Sequence, residues 1–210
     1  MFNTIDKVIT KVFPTYSYDT TYGTDIPIRE YITSQQYGIE YLIGLCEYTD
    51  HLFYLSGTTF YFVDKLTGST SETVTDFEIL EGGLDSSSPD DIISKISAKW
   101  NTEVYNSKTY QLTQANQQED IYTGLSTGTT EEFVPRNYIN SEVATVTTRK
   151  KTMYLKDSVS IKLGTVKHIQ IGTVVTLSSD YASGSFIVTD KQLTKEGDEI
   201  LSGLGEITYV

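Results

Sequence analysis

The last 60 residues alternate apolar and polar side chains in short runs closed by turns, and no other feature constrains the fold as tightly. Val159, Ile161 and Leu163 alternate with Ser160 and Lys162. Val174-Val175-Thr176-Leu177 reads as a second strand and Phe186-Ile187-Val188 as a third, with Ser183-Gly184 as the turn between them. Lys195-Glu196-Gly197-Asp198 is a further turn, and Ile200 to Val210 a last strand bent at Gly203 or Gly205. A side-chain period of two places alternate residues on opposite faces of a sheet. Short strands divided by turns at this spacing predict a small antiparallel barrel or sandwich.

The front of the chain has a different period. Ile5, Val8, Ile9 and Val12 recur at helical spacing, and Pro14 ends the run. This segment is a candidate docking arm, although such a helix more commonly packs on its own domain, since short helices are weak alone. A second helix begins near Thr33 or Ser34, either of which can cap it. Its apolar stripe is Ile39, Leu42, Ile43 and Cys46. A hairpin follows: Leu52-Phe53-Tyr54-Leu55, the turn Ser56-Gly57-Thr58, then Thr59-Phe60-Tyr61-Phe62-Val63. Both flanks are aromatic or β-branched, as hairpin strands prefer.

Between these ends the pattern is looser. Val74 to Leu80 reads as one strand between turn-rich stretches at 67–71 and 82–89. Residues 92–100 read as a strand, with Ile93 breaking the alternation. Val104-Tyr105 and Tyr110-Gln111-Leu112 flank Asn106-Ser107 as a further hairpin. Residues 113–135 run Gln-, Thr- and Gly-rich without a period, so a polar loop or insertion is expected, with a short helix near 114–122. The expected fold class is α+β, mainly β. A helix-hairpin αβ unit occupies 1–70, and a β-rich domain of antiparallel barrel or sandwich type occupies 71–210.

Charge is unevenly spread over the 210 residues, whose formal net charge is -12. Residues 1–135 hold 7 Lys+Arg against 20 Asp+Glu, and residues 136–210 hold 9 against 8. The asymmetry suggests faces of different sign. An acidic surface serves solubility, or complements a basic partner or another copy's basic segment. Phosphate would be repelled, so nucleic acid is not the expected partner. Cys46 is the only cysteine, which excludes an intrachain disulfide and suits assembly in a reducing cytoplasm. The start lacks a signal-peptide pattern, and no run of about 18 apolar residues is present to span a membrane.

Chemical motifs are sparse. His51 and His168 are the only histidines, and His51 stands five residues after Cys46, which does not put them on one helix face. No ligand spacing for zinc exists. The adjacent pairs Asp90-Asp91, Glu131-Glu132 and Asp198-Glu199 read first as solvated surface or caps; a hydrolase would need two carboxylates facing each other across a cleft. Gly124 to Gly128 lacks the lysine of a phosphate loop. Arg149-Lys150-Lys151 lies in a stretch, 136–167, with seven Lys+Arg and two acidic residues. It reads as a solvated strand edge, or as an electrostatic latch onto an acidic neighbouring subunit. No catalytic, metal-binding or cofactor-binding residue is expected, and no cofactor.

These pieces together resemble bacteriophage tail hub and baseplate proteins of the late-control-protein-D type. In that family a capped helix precedes an aromatic hairpin, here Thr33 to Cys46 and then Leu52 to Val63. An extended segment ends in Lys-Trp or similar, comparable to Ile96-Ser97-Ala98-Lys99-Trp100. A strand, a Gly-containing turn and a further strand close the family's pattern, comparable to Ile171 through Leu177 and Ser183 through Val188. The likeness covers about two-thirds of the chain. It implies a non-catalytic virion component that forms rings, often trimeric, and joins the tail tube to distal tail parts. The implied partners are other copies of the chain and other tail or baseplate proteins. Candidate subunit contacts are Ile5, Val8, Ile9 and Val12 of the first helix and Arg149, Lys150 and Lys151. Two other readings stand beside it: a carbohydrate- or receptor-binding β module of a virion, and a carboxylate-based hydrolase.

Overall fold

The computed structural model describes residues 1–26, 37–87, 93–106, 111–124, 128–133 and 143–210. Composition alone places a boundary near residue 70. In the structure, Met1–Ile26, Thr33–Ser88 and Lys156–Val210 form one compact unit, and Pro27–Ile32 with Pro89–Leu155 form the other. The architecture is α+β and mainly β, as expected.

The first unit opens with α1 (Phe2–Val12), which buries Ile5 and Ile9 and stops before Pro14. Helix α2 (Gly38–Tyr48) follows. The expected caps Thr33 and Ser34 lie outside the described residues. The expected stripe of α2 needs correcting: Leu42, Leu45 and Cys46 are buried, while Ile39 and Ile43 are exposed. Two overlapping apolar stripes exist on this helix, and packing on the following strand selects the one containing Leu45. Gly38 is needed because a Cβ there would come within 2.7 Å of Val12 at the end of α1.

Strands β2 (His51–Ser56) and β3 (Thr59–Asp64) form the expected hairpin, with Gly57 in the left-handed region at φ 59°. Strand β1 (Ser17–Asp19) pairs in parallel with β3. One face of this sheet is aromatic. Phe53 lies 5.5 Å from Phe60 and 5.2 Å from Phe62, and Tyr16 and Phe13 pack on Phe60 at 5.2 and 5.3 Å. Each such ring pair adds about 1 kcal/mol beyond its burial. On the other face Leu52 and Val63 cluster with Ile187, and Tyr54, Ile171 and Val174 pack against them. Gly172 permits this contact, because a Cβ there would meet Val63 at 2.9 Å.

Ile187 belongs to a six-stranded sheet of order β4-β10-β11-β12-β9-β5. Its members are β4 (Ser71–Thr75), β5 (Ile79–Ser87), β9 (Asp157–Leu163), β10 (Val174–Ser178), β11 (Ala182–Leu193) and β12 (Glu199–Tyr209). The outermost strands, β4 and β5, are consecutive and joined by three residues, 76–78. Six strands laid flat would put these edges about 24 Å apart. The connection spans at most about 14 Å. The sheet therefore curls into a half-barrel. Every strand contributes to its interior, from Val74, Leu84 and Ile161 to Leu177, Phe186 and Leu201.

The loop after β9 covers part of that interior. Ile169 enters the core, and Glu199, fully buried, accepts a 2.8 Å hydrogen bond from the Lys167 backbone N–H. Lys191 donates to the Ile169 carbonyl at 2.9 Å, with its Nζ 3.9 Å from Glu199. Lys167 Nζ reaches both the Thr73 carbonyl at 3.0 Å and Glu78 at 2.7 Å. Glu78 also accepts from the Thr75 N–H at 2.8 Å, so one ion pair ties β4 and the β4–β5 turn to this loop.

Two sequence expectations in this unit change. Val74 to Leu80 is not one strand, because Asp76 to Glu78 turn the chain from β4 into β5. Ser183-Gly184 is not a turn but lies inside β11; the turn is at Ser179 to Tyr181. Gly184, Gly203 and Gly205 serve close strand approach: a Cβ would stand 2.0 Å from the Glu206 carbonyl, 2.0 Å from that of Ile187 and 2.2 Å from that of Ser185.

The second unit holds β6 (Ile93–Asn106), β7 (Gln111–Tyr122), β8 (Thr129–Phe133) and α3 (Val143–Tyr154). Strands β6 and β7 are antiparallel, as the expected hairpin requires, and β8 runs parallel to β6. The register slips by one residue between Ile93 and Lys95, so Ile93 joins the buried face of Ile96 and Ala98 despite its broken alternation. The stretch 113–135, expected as a loop with a short helix, instead contributes most of β7 and all of β8. Exposed polar residues such as Gln117, Gln118 and Asp120 hide the period, and the ladder to β6 supplies the order.

Replacing Gly203 by Ala forces a side chain against the Ile187 carbonyl and should destabilise the protein by on the order of 3 kcal/mol. Gly57→Ala meets open space and should cost only the left-handed strain, about 1 kcal/mol. Urea unfolding of the two variants measures the contrast. The Lys167 ammonium, and then the Thr75 N–H, hold Glu78 below the usual carboxylate range. Its stabilisation is present above that range and is lost as pH falls through the depressed value. Glu78→Gln should therefore be less stable than the parent at neutral pH, and the gap should close on acidification. A gap independent of pH would exclude the ionised pair as its cause.

Candidate functional site

The cysteine and histidines come apart as chemistry. Cys46 is buried on α2, and burial pushes its thiol up to about 12, far from a reactive thiolate. His51 is buried at the start of β2. Its Nε2 accepts from the Thr24 backbone N–H at 3.1 Å and its Nδ1 stands 2.8 Å from the Thr49 carbonyl, so both ring nitrogens hold backbone. His168 lies in the loop after β9, with φ 57°. Among the described residues no group of His, Cys, Asp or Glu is arranged to hold a metal ion. Among the same residues no helix is long and apolar enough to cross a membrane.

Each of the adjacent carboxylates that is described has a partner. Glu131 accepts from the Tyr154 hydroxyl at 3.2 Å, and Glu132 pairs with Lys99. Asp198 pairs with Lys162 at 2.9 Å, and Glu199 is the buried loop anchor. Asp90 and Asp91 lie outside the described residues.

The proposed contact residues distribute unevenly. Ile5 and Ile9 face the unit's own core, Val8 is half-buried, and Val12 is 51% exposed. Arg149, Lys150 and Lys151 do not lie on a strand edge; they sit on α3, half-buried. Their run Val143 to Thr148 is rich in β-branched residues, which masked the helix. The basic stretch around them is partly matched within the first unit, where Lys156 pairs with Glu206 and Lys162 with Asp198.

One concave feature was not visible in the sequence. Where the half-barrel opens, a groove of about 620 Å³ runs between the first half of β5 and the ends of β10, β11 and β12. Ile79, Leu80 and Leu84 give it an apolar side, Tyr181 and Tyr209 an aromatic one, and Asp76, Glu81 and Ser179 polar groups. Tyr209 follows Leu201 and Ile207 on the inward face of β12 by strand alternation. Tyr181 is held by the Val210 N–H, which donates to its carbonyl at 2.9 Å. Asp76 accepts from the Asp180 N–H at 2.8 Å. The Ser179 hydroxyl, and then that N–H, lower the Asp76 carboxyl from its usual value. The distant parts of the chain that meet here leave no linear motif.

No protein-family model matches the chain, and no curated protein sequence matches it. Solved structures do share its fold. A chain of the virion of a native gene transfer agent particle superposes with a TM-score of 0.66 at 12% identity, covering 95% of this chain and 46% of that one. The prophage MuSo2 43 kDa tail protein from Shewanella oneidensis gives 0.60 at 10% identity, covering 95% and 64%. The tail protein from Neisseria meningitidis MC58 gives 0.56 at 10% identity, covering 97% and 66%. The chain thus spans between about half and two thirds of the length of these proteins.

The burial of Cys46 predicts that alkylating reagents leave it unmodified in the native protein and label it once urea unfolds the chain. Rapid native labelling, followed by mass spectrometry, would contradict the buried placement of α2.

The likeness to phage tail proteins read from the sequence holds at the level of fold: this chain has the fold of phage and prophage tail proteins.

Proposed function

We propose that the chain is a non-catalytic structural component of a tail tip or baseplate in a phage-like virion. The observation that carries this reading is the match of nearly the whole chain, 95–97%, to a virion chain and two tail proteins. In the finer form of the proposal the chain is hub-like. Copies assemble into a ring, a trimer being the form the hub likeness implies, and the ring joins the tail tube to distal tail parts. Other tail and baseplate proteins are its partners.

Several surface features support an assembly role. Phe77, at the tip of the β4–β5 turn, is fully exposed, and Val12 is half-exposed at the end of α1. Bare aromatic and aliphatic surface of this kind gains most by being covered. With Ile5 and Ile9 committed to the unit's own core, an arm contact by α1 falls to Val8 and Val12. The charge split supplies the second element, a basic cluster of Arg149, Lys150 and Lys151 on α3 facing an acidic neighbour. The absence of a catalytic role is supported by the engagement of Glu131, Glu132, Asp198 and Glu199 in structural contacts.

Native mass spectrometry at low salt should give a single ring stoichiometry for the parent chain. Lys150→Glu combined with Lys151→Glu should shift it toward monomer. A parent that stays monomeric at high concentration and joins no tail assembly would overturn the ring. Normal assembly of the charge-reversed variant would remove the latch.

A further inference from the structure

We propose that the groove at the mouth of the half-barrel is a saccharide-binding site for neutral or amino-sugar glycans. This goes beyond the tail-assembly reading and does not rest on it.

Three observations meet at this place. The groove, at about 620 Å³, has the size of a small-ligand site, and barrel mouths are recurrent places for such sites. Two aromatic rings, one from the β10–β11 turn and one from β12, line it and remain accessible: Tyr181 is 75% exposed and Tyr209 is 53% exposed. Tyr combines an apolar face with a polar tip, which suits the apolar face of a pyranose ring and its hydroxyl edge. The carboxylates of Asp76 and Glu81 line the same concavity, with the Ser179 hydroxyl beside them. An ionised carboxylate is acceptor-only and takes hydroxyl or amine protons in charge-assisted hydrogen bonds.

The arrangement also sets the class of sugar. Asp76 and Glu81 put negative charge at the rim, and among the described residues no Lys or Arg lines the groove. Sialylated, sulfated, phosphorylated and uronate sugars would be repelled. Neutral hexoses, N-acetylhexosamines and free amino sugars would not. The backbone supports the shape. Asp76 fixes the Ser179 to Tyr181 turn through the Asp180 N–H, which holds the Tyr181 platform in place. Gly82 leaves the β5 side open, since a Cβ there has no atom within 4 Å.

The test is a titration of the full chain with neutral hexose and N-acetylhexosamine oligosaccharides, with sialylated and sulfated oligosaccharides as controls. Saturable binding of a neutral or amino sugar is expected, with the ring NMR resonances of Tyr181 and Tyr209 shifting on titration. Tyr181→Ala combined with Tyr209→Ala should weaken it by about tenfold or more, the loss expected for two aromatic contacts. Glu81→Gln should weaken it less and should admit the anionic sugars. Both tyrosines are exposed, so the thermal midpoint should hold; if the double variant unfolds, the tyrosine shifts in the parent decide the matter. The proposal is overturned if no neutral or amino sugar binds at millimolar concentration. It is equally overturned if binding survives the double variant, or if anionic sugars bind the parent as well as neutral ones. Loss of the ring stoichiometry in the double variant, without any sugar binding, would assign the groove to a second copy instead.

Discussion

The three-residue connection between β4 and β5 is the constraint on which the first unit depends. These strands are the outer edges of a six-stranded sheet, and so short a link cannot reach across a flat one. Curling brings the inward residues of all six strands into one cluster around Val159, Ile161, Phe186 and Leu201. It also brings Glu78 against Lys167, so that an ion pair with two backbone attachments on β4 holds the β4–β5 turn to the loop after β9. Glycine at 184, 203 and 205 permits β11 and β12 to approach at carbonyl contact. The half-barrel is thus set jointly by chain length at one turn and by missing side chains at another.

The aromatic hairpin depends on the same curl. Its Leu52 and Val63 face the outward side of β11 at Ile187, while its phenylalanines turn to Phe13 and Tyr16. Hydrophobic burial on both faces explains why β2 and β3 read as nearly continuous apolar and aromatic runs rather than alternating ones. The buried Glu199 stands within an otherwise apolar interior. Its position is intelligible because its carboxylate holds the loop that carries Ile169 into the core. One carboxylate oxygen takes the Lys167 N–H and the other lies buried without a hydrogen bond, 3.9 Å from the Lys191 ammonium, which offsets part of its desolvation.

The groove follows from the half-barrel's being open. Tyr181 and Tyr209 stand at the rim of that open concavity. Fold and site carry different information in this protein. The fold is shared with a gene transfer agent virion chain and two tail proteins at 10–12% identity, where little beyond backbone architecture is held in common. A folded scaffold hosts function through its particular surface residues. The acidic and aromatic groove and the exposed Phe77 are properties of this chain's own residues.

Much of the architecture was legible in the sequence wherever one face is buried and the other wet. The runs at 159–163, 174–177 and 200–210 and the hairpin at 52–63 became strands β9, β10, β12, β2 and β3. Legibility failed where both faces of a strand are polar, as in β7, and where β-branched residues form a helix, as in α3. It failed also where two apolar stripes compete, as on α2, whose buried face was decided by what it packs against. The candidate groove was not legible at all. Asp76, Tyr181 and Tyr209 are far apart in the chain and meet only after β4, β10 and β12 have taken their places in the sheet. The sequence by itself determined the local periods, the hairpin turn at Gly57 and the mainly-β character, because these depend on neighbours in the chain. Only the tertiary structure decided the strand order, the curl and the groove, because these depend on hydrogen bonds and contacts between residues that the chain keeps apart.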